Sequence, residues 1–295
     1  MNATLLYQTN ALLGEGAIWD HVENKLYWVD IEGCTFNIYD VGRNKNKVYN
    51  VQKTVGTVVP VNSNTVLLAL EDGLAFLNLT DGTIAYQLSW PLHEENKRFN
   101  DGKCDGQGRF WVGSLTKGQG TGSNKLYCVT PNFTITEKLN NLTISNGIAW
   151  SVCGNYMYHI DTPTSQVIKY DFDYHTGAIS NPQIIIKVPP EDGYPDGMTI
   201  DANGKLWIAL WDGFCVAQYN PETGQLLQKV MVPAPKVTSC AFGGEKLDKL
   251  FITTASCEMT SEELAQYPLS GSLFVADTGV TGVRSNFFGL DDISA

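Results

Sequence analysis

Four oxygen-bearing side chains share one local pattern, each within two residues of a glycine and ahead of an apolar run. They are Glu15 before Ile18-Trp19, Asn100 before Phe110-Trp111, Asn146 before Ile148-Ala149-Trp150, and Asp196 before Met198-Thr199-Ile200. Two carboxylates and two amide carbonyls form a hard donor set, suited to Ca²⁺, Mg²⁺ or Mn²⁺ and poorly suited to metals that prefer sulfur or imidazole. The four histidines, His21, His93, His159 and His175, show no metal-ligand spacing, which agrees. The densest stretch is Arg98-Phe99-Asn100-Asp101-Gly102-Lys103, where cationic, amide and carboxylate groups crowd into six residues. Polar groups held at the entry to a buried strand are the usual layout of a site on a rigid scaffold. Turn formation is the competing explanation, because Asn-Gly and Asp-Gly serve turns throughout β proteins. Asp72-Gly73, Asp81-Gly82, Asp105-Gly106 and Asp212-Gly213 are read as such turns, and Lys103 as a solvated partner of a nearby acid.

The elements that must position these groups are strands. Helical periodicity is nearly absent, and runs of four to seven residues rich in Val, Ile, Tyr, Phe and Trp recur, closed by Gly, Asp or Asn. Six strand pairs follow one another, beginning with KLYWVD (25–30) and TFNIYD (35–40) and ending with KLFITT (249–254) and SLFVA (272–276). Their spacing is roughly 45 residues, the size of a four-stranded propeller blade. A preceding segment in each copy, starting at Glu15, Gly56, Asn100, Asn146, Asp196 and Ser239, reads as the innermost strand. The expected fold is all-β, a six-bladed β-propeller with four antiparallel strands per blade, as one domain over residues 1–295. A sandwich would not need six similar units, and a solenoid would show tighter repeats with atypical caps. In a propeller the inner strands gather around one channel, so the four oxygen donors converge. The segment 258–267 (EMTSEELAQY) reads as a short helix capped by Thr260 or Ser261.

Bulk properties remove several classes of partner. A net charge of -11 with no basic cluster argues against nucleic acid, whose phosphates would be repelled. No run of eighteen apolar residues occurs, so no membrane partner is expected. Residues 1–13 lack a basic segment followed by an apolar one, and the seven cysteines are odd in number and mostly inside strand patterns. Free buried thiols in the cytoplasm are the expectation, with the protein a monomer or weak oligomer.

Further stretches then carry a family resemblance. GEGAIW (14–19), NDGK (100–103), SNGIAW (145–150), YHID (158–161), PDGM (195–198) and TSCAFGG (238–244) resemble the SMP-30/gluconolactonase/luciferin-regenerating family, which includes regucalcin and sugar lactonases. The likeness runs in order and at matching spacing over nearly the whole chain. It implies one divalent cation in the channel, Ca²⁺, Zn²⁺, Mn²⁺ or Mg²⁺. The implied metal positions are Glu15, Asn146 and Asp196, with Asn100 as a further ligand or substrate contact. Arg98 matches a residue that faces substrate in relatives, and Asp101 is a further candidate for hydroxyl groups. The implied partner is a small-molecule sugar lactone. One departure concerns the loop Lys117–Asn124, which has no acidic residue where some relatives place a substrate-contacting one.

The chemistry expected from this set is hydrolysis of an aldonolactone to the aldonic acid. The cation would polarise the lactone carbonyl and Asp196 would take the proton of the attacking water. Two alternatives use the same channel: a phosphotriesterase-like hydrolase and a non-catalytic calcium-binding regulatory protein. A propeller serving only as an interaction platform is disfavoured by the intact oxygen set. Serine-hydrolase chemistry lacks its Gly-X-Ser-X-Gly elbow, and Cys104 and the tryptophans Trp19, Trp150 and Trp207 read as core.

Overall fold

A computed structural model describes residues 1–89, 96–118 and 122–289. His93 and the centre of the 117–124 loop lie outside the described residues. Alternating and apolar runs pair into six four-stranded antiparallel sheets, the blades of a propeller. The inner strands are Gly14–Asp20, Val55–Asn62, Lys97–Cys104, Ser145–Trp150, Tyr194–Ile200 and Val237–Gly243. They read as nearly continuous buried segments rather than as alternating ones, because the channel covers one face and neighbouring blades the other.

Blades one to five are built from consecutive strands, whereas the sixth takes its outer strand from the opposite end of the chain. Thr4–Tyr7 pairs antiparallel with Leu273–Asp277, bringing Thr4 opposite Val275. That closing strand was not among the sequence-derived elements. It is four residues long, and its partner lies some 270 positions away. Ser261–Gln266 forms the expected helix inside the last blade, with Thr260 and Glu263 completing a capping box.

Aromatic side chains fill the wedges between blades. Trp19 stacks on Phe251 at 5.1 Å between ring centroids, so the first blade packs flat against the last. Trp111 and Trp207 are fully buried, and each donates its indole N–H to a buried aspartate six residues earlier, Asp105 and Asp201 respectively. These repeated buried carboxylates are structural, each tied also to backbone N–H groups of its own turn. Asp105-Gly106 is therefore a turn, as its sequence indicated.

All six inner strands carry a register irregularity at the same level. In the first blade Glu15 faces Val29 and Ile18 faces Tyr27, so Gly16 and Ala17 together oppose Trp28. Asn100 and Asp101 fall in the matching interval of blade three, Gly147 in blade four, and Asp196 with Gly197 in blade five. A bulge leaves residues off the ladder and re-aims their side chains. Six of them at one height form a ring of diverted residues around the channel.

Candidate functional site

Glu15, Arg98, Asn100, Asn146 and Asp196 come together on the wall of one cleft of about 670 Å³, open at one end of the propeller. The bulges require glycine where backbones approach. Gly16 sits at φ +60°, and a Cβ on Gly147 would lie 2.5 Å from the carbonyl oxygen of Asp196. Small residues at these points let two inner strands close up, which presents Asn146 and Asp196 side by side.

Each side chain is held by neighbours that leave an oxygen free. Asn146 donates its amide N–H to Thr162 Oγ1 at 3.1 Å, and Thr162 in turn donates to the carbonyl of Pro195 at 2.8 Å. That chain fixes the amide orientation and turns Oδ1 away from it. Asn146 Oδ1 and Asp196 Oδ1 are buried without a hydrogen-bond partner. Glu15 Oε2 accepts the N–H of Gly16 at 2.7 Å. Buried polar atoms without a protein partner call for a water or an ion.

The electrostatics point the same way. Burial, followed by the charge of Asp101, raises the Glu15 carboxyl from its ordinary 4.5 to about 8. Burial and the charges of Glu15 and Asp101 push Asp196 well above the usual carboxylate range. Like charges crowded in a dry site stabilise a shared proton or a cation. Two carboxylates and an amide carbonyl, with Asn146 Oδ1 and Asp196 Oδ1 unpartnered, therefore fit a hard divalent cation. Among the described residues no three His, Cys, Asp or Glu side chains form a metal-binding group, because this donor set is partly amide.

Asn100 stands apart from the other three donors. Its Oδ1 accepts from Arg98 Nη1 at 2.7 Å and its Nδ2 donates to the carbonyl of Ser145 at 2.9 Å, so its carbonyl already serves the guanidinium. Asp101 is buried but does not line the cleft; it accepts the N–H of Gly102. Lys103 is not the solvated surface lysine that its residue type suggested. Its ammonium donates to the carbonyl of Met198 at 2.7 Å inside the channel, and it lines the small cavity at the far end with Arg284 and Asn286. Burial lowers its pKa while the charge of Asp101 opposes that shift.

Two contacts were not expected from the sequence. Thr162, the residue that orients Asn146, follows a strand end and belongs to no motif. Ser145 Oγ lies 2.9 Å from His159 Nε2, a serine–histidine contact in which burial holds the histidine down at about 3. Both residues are at most 1% exposed, and neither lines the cleft, so the pair is packing rather than a nucleophile with its base. The seven cysteines are all free, and four of them are buried.

The chain and its fold resemble those of known proteins. A Bacillus subtilis (strain 168) protein provisionally named sugar lactone lactonase YvrE is 36% identical over 284 residues, covering 96% of this chain and 97% of its own. Regucalcin from Danio rerio is 34% identical over 274 residues, with 92% of each chain covered. Among solved structures, a luciferin-regenerating enzyme superposes with a TM-score of 0.91 at 30% identity, covering 98% of this chain and 100% of its own. The model of the SMP-30/gluconolactonase/LRE-like region matches residues 13–256, and the chain belongs to that family.

Proposed function

We propose that the protein hydrolyses a sugar lactone of the gluconolactone type to the corresponding aldonic acid, with a divalent cation held by Glu15, Asn146 and Asp196. The observation that carries this reading is the pair of buried, unpartnered oxygens, Asn146 Oδ1 and Asp196 Oδ1, beside the Glu15 carboxyl. A bound Ca²⁺, Zn²⁺, Mn²⁺ or Mg²⁺ supplies polarisation of the lactone carbonyl and acidification of the attacking water. Asp196 receives the water's proton as the water oxygen bonds to the carbonyl carbon. It returns that proton to the ring oxygen as the ring C–O bond breaks. Arg98, held by Asn100 and lining the same cleft, donates to the substrate's oxygen atoms. Asn100 acts through Arg98 rather than as a fourth metal ligand, and Asp101 supports the site's charge from behind the cleft. The relative named as a sugar lactone lactonase supports the substrate class. We also read the protein as cytoplasmic, in keeping with its free thiols.

The test is acid release from a panel of aldonolactones, with and without chelator and with each cation restored, on the protein and on Asp196→Ala. Metal-dependent turnover that vanishes in the variant is the expected result. The second reading is a calcium-binding regulator, since the same hard oxygen donors would hold Ca²⁺ without turnover. It takes over if the protein binds Ca²⁺ while no lactone opens faster than it does spontaneously.

A further inference from the structure

The side chain of Arg98 is only 7% exposed, and its buried Nε–H has no hydrogen-bond acceptor. Nη1 is satisfied by Asn100 Oδ1 and the carbonyl of Phe99. The nearest acid to Nε is Glu32, whose Oε1 lies 3.9 Å away, beyond hydrogen-bond reach. Glu32 is only partly covered and lines the same cleft. It comes from a different blade, on the tight turn between the strands Lys25–Asp30 and Thr35–Asp40.

That turn is rigid. Asp30 accepts the N–H groups of Leu12, Leu13 and Gly33 at 2.9–3.0 Å, and Ile31 donates its N–H to the carbonyl of Leu13. Glu32 is thus presented from a fixed backbone, opposite a donor that is itself fixed. A gap of 3.9 Å between an N–H donor and a carboxylate oxygen is too wide for a direct bond. It admits one hydroxyl oxygen at about 2.8 Å from each, which accepts from the guanidinium and donates to the carboxylate.

From this juxtaposition we infer that Glu32 and Arg98 together form a hydroxyl-reading pair that selects polyhydroxylated lactones over unsubstituted ones. The inference rests on the lactonase reading. Charge favours the same arrangement, since a carboxylate acceptor and a guanidinium donor make stronger bonds to a hydroxyl than neutral groups do. A site built to bond a substrate hydroxyl discriminates strongly against an analogue lacking it, because the buried Nε–H is then left unpaired. The pair also supplies an acid to this wall of the cleft, which the 117–124 stretch does not contain.

Two measurements on the full chain and on Glu32→Ala test the pair. The first compares kcat/KM for δ-gluconolactone with that for δ-valerolactone, which has the same ring and no hydroxyls. The expected loss in the variant is about 10- to 100-fold on gluconolactone, carried by KM, and at least tenfold smaller on valerolactone. The second is calorimetric binding of gluconolactam, a cyclic polyol that cannot be opened in the same way, expected to weaken about tenfold or more in the variant. Equal losses on both lactones, or lactam affinity that is unchanged in the variant or too weak to detect in the parent chain, overturn the inference. If neither lactone turns over, the lactonase reading fails by itself, and the lactam comparison still decides whether Glu32 reads hydroxyls.

Discussion

In the metal-free chain, stability should fall steeply between pH 6.5 and 8.5. In the metal-free chain burial and the charge of Asp101 raise Glu15 from 4.5 to about 8. The folded state therefore holds a proton on Glu15 that the unfolded chain has already released. A raised acid pKa means that stability is greatest below the unfolded value and declines as pH rises through the folded value. Integrating from pH 6.5 to 8.5 gives a loss of about 2 kcal/mol from Glu15 alone, or roughly 3 °C in Tm for a chain of this size. Asp196, moved in the same direction, adds to it. His159 works in the opposite sense: its folded value near 3 removes stability as pH falls below its ordinary 6.5, so it contributes little change inside this window. The assay is thermal unfolding in chelator at pH 6.5 and 8.5, for the protein and for Glu15→Gln, with the divalent cation restored in parallel. The variant should lose most of the pH dependence, and saturating cation should flatten the parent's. A metal-free parent whose Tm is the same at both pH values, or a Glu15→Gln variant with the parent's slope, would refute the assignment of a charge-strained carboxylate cluster.

Other perturbations separate positioning from scaffold. Thr162→Val frees the Asn146 amide and should weaken divalent-cation binding about tenfold in a calorimetric titration, with little change in Tm. Asp201→Ala leaves Trp207 Nε1 and Gln218 Nε2 buried without their acceptor and should cost about 3 kcal/mol or more in denaturant unfolding. Deleting residues 1–7 strips the outer strand from the last blade, and should lower stability by at least about 2 kcal/mol while raising hydrogen exchange in Leu273–Asp277 before any other strand.

The sequence made the repeat readable because every blade states it locally: an apolar run, a turn, and a second run, with the inner strand just ahead. Glu15, Asn146 and Asp196 could be picked out because they share one phase of that repeat, and the fold turns equal phase into equal height on the channel wall. What stayed hidden depends on contacts between blades. The closing strand Thr4–Tyr7 is a short, half-exposed run whose partner lies at the other end of the chain. Lys103 looked like surface because lysine usually is, and only the converging inner strands show its ammonium bonded to a carbonyl of blade five. Asn100 carries the same donor atom as Asn146, but its amide is turned toward Arg98, a choice made by side-chain geometry that residue type does not encode. Glu32, on the turn of another blade, belongs to no motif that spacing could reveal.

The most direct test of the central claim is a pH-stat record of acid release from an aldonolactone as a divalent cation is titrated into the chelated protein. Turnover should rise to a plateau at one cation per chain and stay at the spontaneous rate in Asp196→Ala. Hydrolysis that proceeds at full rate in chelator, or that survives in Asp196→Ala, would contradict it.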